Sequence, residues 1–325
     1  MKNLFKLALA ALMVASLAAC SSDTTSEETA TPEATEETTE VTPEATEETT
    51  ASAMEVAVNA YYSEMHDNYK ISEQDLFTKV SEGTEDFLVV DIRGAADYAE
   101  SHVMGAINLA WPSDIANNVG VLPMSKPIYV YCYTGQTAGQ TVAELRLLGF
   151  DAYSVNMGMK GISTVEGIDA ILTDEAVELP EVTGIELDAD MLAAVEDYFA
   201  GLADVAGTEY ANYKISEENA KAKIDAEDDS IMVLSIRSAA DYAEAHIPTA
   251  VNIPWGNDMA ASFSDLPMDK TIIVYCYTGQ TAGQATATLR MLGYDAVSMN
   301  GGFGTASNAP SGWNNQGYPT VSSAE

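Results

Sequence analysis

Positive charge is what this 325-residue chain has least of: 14 Lys and Arg stand against 50 Asp and Glu, a formal net charge of −36. Residues 1–6 hold two of the basic side chains and residues 21–53 hold 10 of the acidic ones, so the rest still carries 12 basic against 40 acidic. Nucleic acid and anionic lipid surfaces are excluded as partners of so acidic a body. A small anionic substrate gains no long-range attraction and needs a local positive site. Cysteine and histidine are equally scarce, at three each. Three histidines and widely separated cysteines make no recognisable ligand cluster, so neither a metal nor an organic cofactor is expected. The apolar run from Leu7 to Leu17 is too short for a comfortable membrane span.

That run follows Lys2 and Lys6 and ends in Leu17-Ala18-Ala19-Cys20, the layout of a signal sequence over residues 1–19. Its last four residues resemble the bacterial lipobox, which implies cleavage before Cys20 and a lipid on the Cys20 sulfur. An ordinary secretory signal with an incidental cysteine is the alternative. Residues 20–53 continue almost wholly in Thr, Glu, Ala, Ser and Pro, with one nine-residue stretch repeated from Thr31 and Thr42. Such a segment has no core to build, repels itself and stays extended. The expectation is an extracytoplasmic body held by a stalk on a lipid anchor in a bacterial membrane. With Cys20 lipidated, the two remaining cysteines build no disulfide framework and stand as thiols.

Those two lie in a duplication. Tyr-Cys-Tyr-Thr-Gly-Gln-Thr-Ala-Gly-Gln occurs without mismatch at residues 131–140 and 275–284. The halves keep a constant offset of 144 from Asn68/Asn212 through Asn156/Asn300, matching Lys70 with Lys214, Arg93 with Arg237, His102 with His246 and Trp111 with Trp255. Before Asn68 the register slips by seven, pairing Val58 with Val195 and Tyr61 with Tyr198. A period this long means two domains rather than a solenoid. The divisions expected are a first domain over 54–176, an acidic linker over 177–187 and a second domain over 188–325.

Each half alternates strand and helix patterns. Ser72-Glu73-Gln74-Asp75 has the form of a capping box opening a helix to about Val80. The apolar run 87–92 suits a strand buried on both faces. A short helix over 95–100, a strand over 106–109, a strand over 128–131, a helix ending at Gly149 and a strand over 152–155 follow. The fold class expected is α/β, each domain a mainly parallel sheet with helices on both faces. The cysteine then sits at a strand's carboxyl end on a Gly-containing turn before a helix, where ligands bind in such sheets. Backbone N–H groups and the helix dipole favour an anion there, and a thiolate is the nucleophilic form of cysteine. Gly135 and Gly279 permit the tight loop, and Thr137 and Thr281 are candidates to cap the helix.

At this point the residues resemble the rhodanese-like sulfurtransferase family, over essentially all of both halves. The signals are Asp91-Ile92-Arg93, Tyr98, His102-Val103, Gly105-Ala106, Asn108, Cys132 with Gly135, Thr137 and Ala138, and a Leu-Gly turn before the last strand. The second copy adds His246-Ile247-Pro248, Asn252-Ile253-Pro254, Gly301-Gly302, Trp313 and Gly317-Tyr318-Pro319. The resemblance implies catalytic Cys132 and Cys276, each accepting sulfane sulfur as a persulfide from a donor such as thiosulfate or polysulfide. The acceptor implied is a thiol or a cyanide-like nucleophile. The persulfide loops implied are Tyr133, Thr134, Gly135, Gln136 and Thr137, and Tyr277, Thr278, Gly279, Gln280 and Thr281. Asp91, Arg93 and Arg237 are implied to brace the loops or touch substrate, bracing being preferred. His102 and His246 read as structural, and Trp111 and Trp255 as packing. Departures from the family pattern are Ser235 where Asp91 has its match, and Tyr133, Thr134 and Asp97 where thiosulfate-specific two-domain members carry basic residues. A cysteine phosphatase is excluded because its arginine position holds Ala138 or Ala282. A non-catalytic sulfur carrier and a thiol redox module joining Cys132 to Cys276 stay open.

Overall fold

The computed structural model describes residues 51–84, 86–181 and 184–323. The expected signal sequence, Cys20 and the stalk up to residue 50 lie outside the described residues. In the first half the strands are β1 (Lys70–Ile71), β2 (Leu88–Asp91), β3 (His102–Val103), β4 (Ile107–Asn108), β5 (Ile128–Tyr131), β6 (Ala152–Val155) and β7 (Leu172–Thr173). Its helices are α1 (Ala53–Ser63), α2 (Glu73–Ser81), α3 (Ala95–Glu100), α4 (Ser113–Asn118), α5 (Gln136–Leu147) and α6 (Gly158–Ile162). The second half has α7 (Ala189–Val205), β8 (Lys214–Ile215), α8 (Glu217–Asp225), β9 (Ile231–Ser235), α9 (Ala239–Glu244), β10 (Val251–Asn252), β11 (Thr271–Tyr275), α10 (Gln280–Met291) and β12 (Ala296–Met299).

Two five-stranded sheets result, ordered β1-β6-β5-β2-β4 and β10-β9-β11-β12-β8, with every neighbouring pair parallel. Parallel pairing needs crossovers, and the crossovers supply helices that cover both faces. The central strands are accordingly apolar on both faces: Val89 and Tyr129 face one core while Val90 and Val130 face another. Ile273 and Val274 divide in the same way in the second sheet.

The outer faces have separate cores, but the two inner faces share one. Val90, Val130, Leu234 and Val274 belong to a single continuous cluster that also holds Cys132 and Cys276. Two sequence-level domains are therefore welded through one interior. The opening helices are exchanged across the weld. Tyr62 of α1 packs edge-on against Trp255 and Phe263 of the second half, 5.4 Å from each, and its hydroxyl meets Thr288 Oγ1 at 2.8 Å. Reciprocally, Phe199 of α7 lies 5.4 Å from Trp111, and the Tyr198 hydroxyl donates to Gln140 at 2.7 Å. The division at residues 177–187 holds no helix or strand among its described residues, yet it does not separate independent packing units.

Helix starts follow local chemistry. At α1, within the last residues assigned to the stalk, Ser52 and Glu55 complete a reciprocal capping box. At α2 only half of the expected box forms. Ser72 Oγ accepts from the Asp75 N–H, but the shorter Asp75 carboxylate bonds the serine hydroxyl instead of reaching the backbone.

Candidate functional site

β5 and β11 end one residue before the two cysteines, and α5 and α10 begin four residues after them, at Gln136 and Gln280. Gly135 and Gly279 are the N-caps, in left-handed conformation at φ 88° and 94°, which a residue with a Cβ adopts at a cost. Thr137 and Thr281 are thus inside the helices and do not cap them. The glycine turn itself ends the loop. It points the Gly135 N–H at the Cys132 sulfur, 3.1 Å away, and the Ala138 N–H reaches the same atom at 3.4 Å. The Gly279 N–H reaches the Cys276 sulfur at 3.1 Å. Both thiols are free, and both residues are 2% exposed. Two amides reach the Cys132 sulfur and one reaches the Cys276 sulfur, and each favours negative charge there as thiolate.

Each loop is held from behind. The Cys132 and Tyr133 carbonyls accept the Met159 and Lys160 N–H groups at 2.8 and 2.9 Å. Phe303 and Gly304 do the same for Cys276 and Tyr277. Gly158 has φ 55°, and a Cβ there would run into the Cys132 carbonyl and the Gly135 nitrogen. Tyr133 and Tyr277 stand exposed at the rims. The Tyr133 hydroxyl donates to Asp97 at 2.5 Å and accepts from the Gly94 N–H at 3.2 Å. Tyr277 makes the matching contacts to Asp241 and Ser238. The unexpected acid at Asp97 therefore latches the loop tyrosine.

Gln136 and Gln280 turn away from their own sulfurs and cross between the halves. Gln136 Nε2 donates to Ser298 Oγ and Gln280 Nε2 to Ser154 Oγ, each at 2.8 Å. Just beyond them α5 and α10 cross so closely that a Cβ on Gly139 would collide with the Gln280 carbonyl, and one on Gly283 with that of Gln136. Repeat arithmetic alone did not reveal that the identical loops are each other's partners.

Asp91 and Arg93 form a buried bidentate pair, with Nη2 2.7 Å from Oδ2, and the same nitrogen donates to the Ser101 carbonyl at 2.6 Å. This braces the end of β2 against the segment after α3. Arg237 donates to the Ala245 carbonyl at 2.7 Å and stacks 3.9 Å over Phe303. Ser235 gives it no carboxylate, and its buried Nε has no hydrogen-bond partner among the described residues. His102 is stacked on Tyr98 and bonds the Tyr98 and Glu175 carbonyls, and His246 repeats the stack on Tyr242. Trp111 and Trp255 donate across the halves to Asn212 and Asn68, at 3.1 and 2.9 Å.

A cleft of about 280 Å³ reaches both loops, being lined by Thr134 and Thr278 together with Gln136, Lys160, Lys214 and Glu217. The lysines were legible only as repeat landmarks or not at all, because no spacing rule links Lys214 to a cysteine 82 positions away.

Comparison with known proteins adds the following. The family model described as rhodanese-like domain matches residues 74–164 and 216–308. A sulfurtransferase of Allochromatium vinosum is 30% identical over 107 residues, covering 33% of this chain and 91% of that protein. YrkF of Bacillus subtilis is 32% identical over 84 residues, 26% of this chain, and the match spans 44% of its own length. The crystal structure of a rhodanese-related protein from Thermoplasma volcanium matches at 26% identity with a TM-score of 0.28, covering 33% of this chain and 96% of that one.

Proposed function

This chain belongs to the rhodanese-like family, carrying two copies of its domain, and from that premise we propose that it transfers sulfane sulfur through persulfides on Cys132 and Cys276. The observation that carries this reading is the glycine N–H aimed at each sulfur, joined at Cys132 by the Ala138 N–H. A thiolate attacks the outer sulfur of a donor such as thiosulfate; the donor S–S bond breaks, sulfite leaves with the bonding pair, and a cysteine persulfide forms. Polysulfide reacts likewise, a shortened polysulfide leaving. A thiolate or cyanide then attacks the terminal sulfur, the persulfide S–S bond breaks, and the cysteine thiolate returns. Negative charge lies on the cysteine sulfur in the thiolate and on the outer sulfur in the persulfide, and the fixed N–H dipoles favour the thiolate that attacks and is later released. Tyr133 and Tyr277, latched at the rims, hold the loops in one shape, and the Asp91–Arg93 pair braces the end of the neighbouring strand β2.

The reading includes the N-terminus: lipid on Cys20 and a stalk that keeps the body outside a bacterial membrane. No described helix is long and apolar enough to cross one. Labelling cells with a radiolabelled fatty acid tests this part, and retention of label in Cys20→Ser refutes it.

The transfer reading is tested by site-resolved mass spectrometry of the chain after thiosulfate or polysulfide, with and without cyanide. A gain of one sulfur at each cysteine, removed by cyanide with thiocyanate released over many turnovers, is expected. Cys132→Ser abolishes the first signal and spares the second. Stable loading without turnover supports a carrier instead, and no loading with both thiols reduced sinks the proposal.

A further inference from the structure

The ion pair that braces the first half is broken in the second, and the break leaves a charge behind. Arg93 is gripped along one edge of its guanidinium: Nε lies 3.1 Å from both Asp91 oxygens, and Nη2 lies 2.7 Å from Oδ2. Arg237 stands at the matching position with Ser235 in place of the acid. Its guanidinium makes one hydrogen bond among the described residues, from Nη1 to the Ala245 carbonyl at 2.7 Å. Its Nε, on the edge that Asp91 fills in the first half, is buried and has no partner there. The acid beside it on α9, Asp241, is engaged by the Ser238 and Tyr277 hydroxyls. The Phe303 ring, 3.9 Å from the guanidinium carbon, offers a π face and no lone pair. Arginine does not shed its proton on burial, so this residue, 6% exposed, keeps a cation whose carboxylate has been removed. A buried charge that loses its partner is costly unless something restores the opposite sign.

We propose that the Nε edge of Arg237 binds one small monovalent anion, a halide or a formate-sized carboxylate, in place of the carboxylate that Asp91 supplies to Arg93. Parallel N–H donors on a guanidinium edge suit a carboxylate in their plane, and a halide brings the same charge in less space. The bound anion braces the second loop, because Arg237 lies against Phe303 and the Phe303 N–H holds the Cys276 carbonyl at 2.7 Å. In the first half the brace is built into the chain, so the Cys132 loop has no such requirement. The site is separate from the Cys276 sulfur, whose hydrogen bond comes from Gly279, and it does not depend on sulfur transfer.

The test is amide hydrogen exchange of the full chain in sodium chloride, sodium formate and sodium gluconate at one ionic strength, gluconate being too bulky for the site. It compares the Phe303 and Met159 N–H groups, which hold the two loops in the same way. At ten times the half-saturating concentration of chloride or formate, exchange at Phe303 should slow about tenfold relative to gluconate. Exchange at Met159 should not change. The thermal midpoint should rise by about 3 °C under the same conditions. Ser235→Asp should protect Phe303 in gluconate and abolish both anion effects. An effect of formate, of chloride or of both supports the site and identifies what fills it. Exchange at Phe303 that is equal in all three salts, slowed equally at Met159, or still anion-dependent in Ser235→Asp overturns the inference. The wild-type comparison decides even where the variant does not fold. Failure of the chain to load sulfur sinks the transfer reading and leaves this contrast standing.

Discussion

Glu144 sits on α5 wholly buried in the shared core, and neither of its carboxyl oxygens has a hydrogen-bond partner among the described residues. Its pseudo-equivalent, Thr288, shows what is missing: there the Tyr62 hydroxyl closes the gap. On Glu144's side the residue matching Tyr62 is Phe199, which has no hydroxyl, and the nearby Tyr61 and Tyr198 hydroxyls are committed to Gln284 and Gln140. Burial pushes the Glu144 carboxyl well above the usual carboxylate range. The folded chain therefore keeps a proton that the unfolded chain releases above 4.5. The favourable side of this linkage is complete below 4.5 and is lost as pH rises toward the folded value. Each pH unit above 4.5 through which the folded carboxyl keeps its proton costs about 1.4 kcal/mol, beside about 1–3 kcal/mol for its unmade hydrogen bonds. Glu144→Met, which nearly keeps the volume, should raise unfolding stability by about 2–4 kcal/mol at pH 7, after losses from imperfect packing. At pH 4.5 the gain should shrink to about 1–2 kcal/mol. Urea unfolding of wild type and variant across that pH range measures the difference. A variant less stable at pH 7, or a difference flat with pH, refutes the reasoning. Phe199→Tyr should recover about 1 kcal/mol by itself and nothing in the Glu144→Met background.

Three further outcomes follow from the packing. Gly139→Ala drives a Cβ into the Gln280 carbonyl at the helix crossing and should cost about 1–3 kcal/mol, seen as a lowered thermal midpoint. Gly158→Ala meets both a positive φ and the Cys132 carbonyl, so sulfur loading at Cys132 should fall at least tenfold while Cys276 keeps its own, a contrast read by site-resolved mass spectrometry. Ser235→Asp supplies Arg237 with the partner that Asp91 gives Arg93 and should stabilise by about 1–3 kcal/mol, measured as a shift in denaturant midpoint; no shift means that the Phe303 stack and the Ala245 carbonyl already satisfy the guanidinium.

Much of this molecule was readable before any geometry. Continuous apolar runs leading into Cys132 and Cys276 became central parallel strands because a sheet covered on both faces favours apolar residues on successive positions. The repeated Gly-Gln-Thr-Ala became a left-handed glycine and a helix start, since Gly135 and Gly279 adopt that backbone conformation at no Cβ cost. Asp91 and Arg93, two apart on one strand end, paired as their chemistry suggested. Thr137 was misread because capping residues and first-turn residues look alike until backbone angles are known.

What only the tertiary structure decided lies between the halves. The seven-residue register slip before Asn68 was visible, but not that α1 and α7 change sides, because apolar faces of two homologous domains fit either neighbour. Gln136 and Gln280 bond serines roughly 160 and 125 positions away, and Glu144 has no hydrogen-bond partner among the described residues, where Thr288 in the other half has Tyr62. Local sequence determined the strands, the loops and the placement of the two buried thiols, since those rest on short-range propensity and turn geometry. The docking of one half on the other determined that Lys160 and Lys214 line one cleft with both loops, because contacts act through space and a linear pattern does not encode distance.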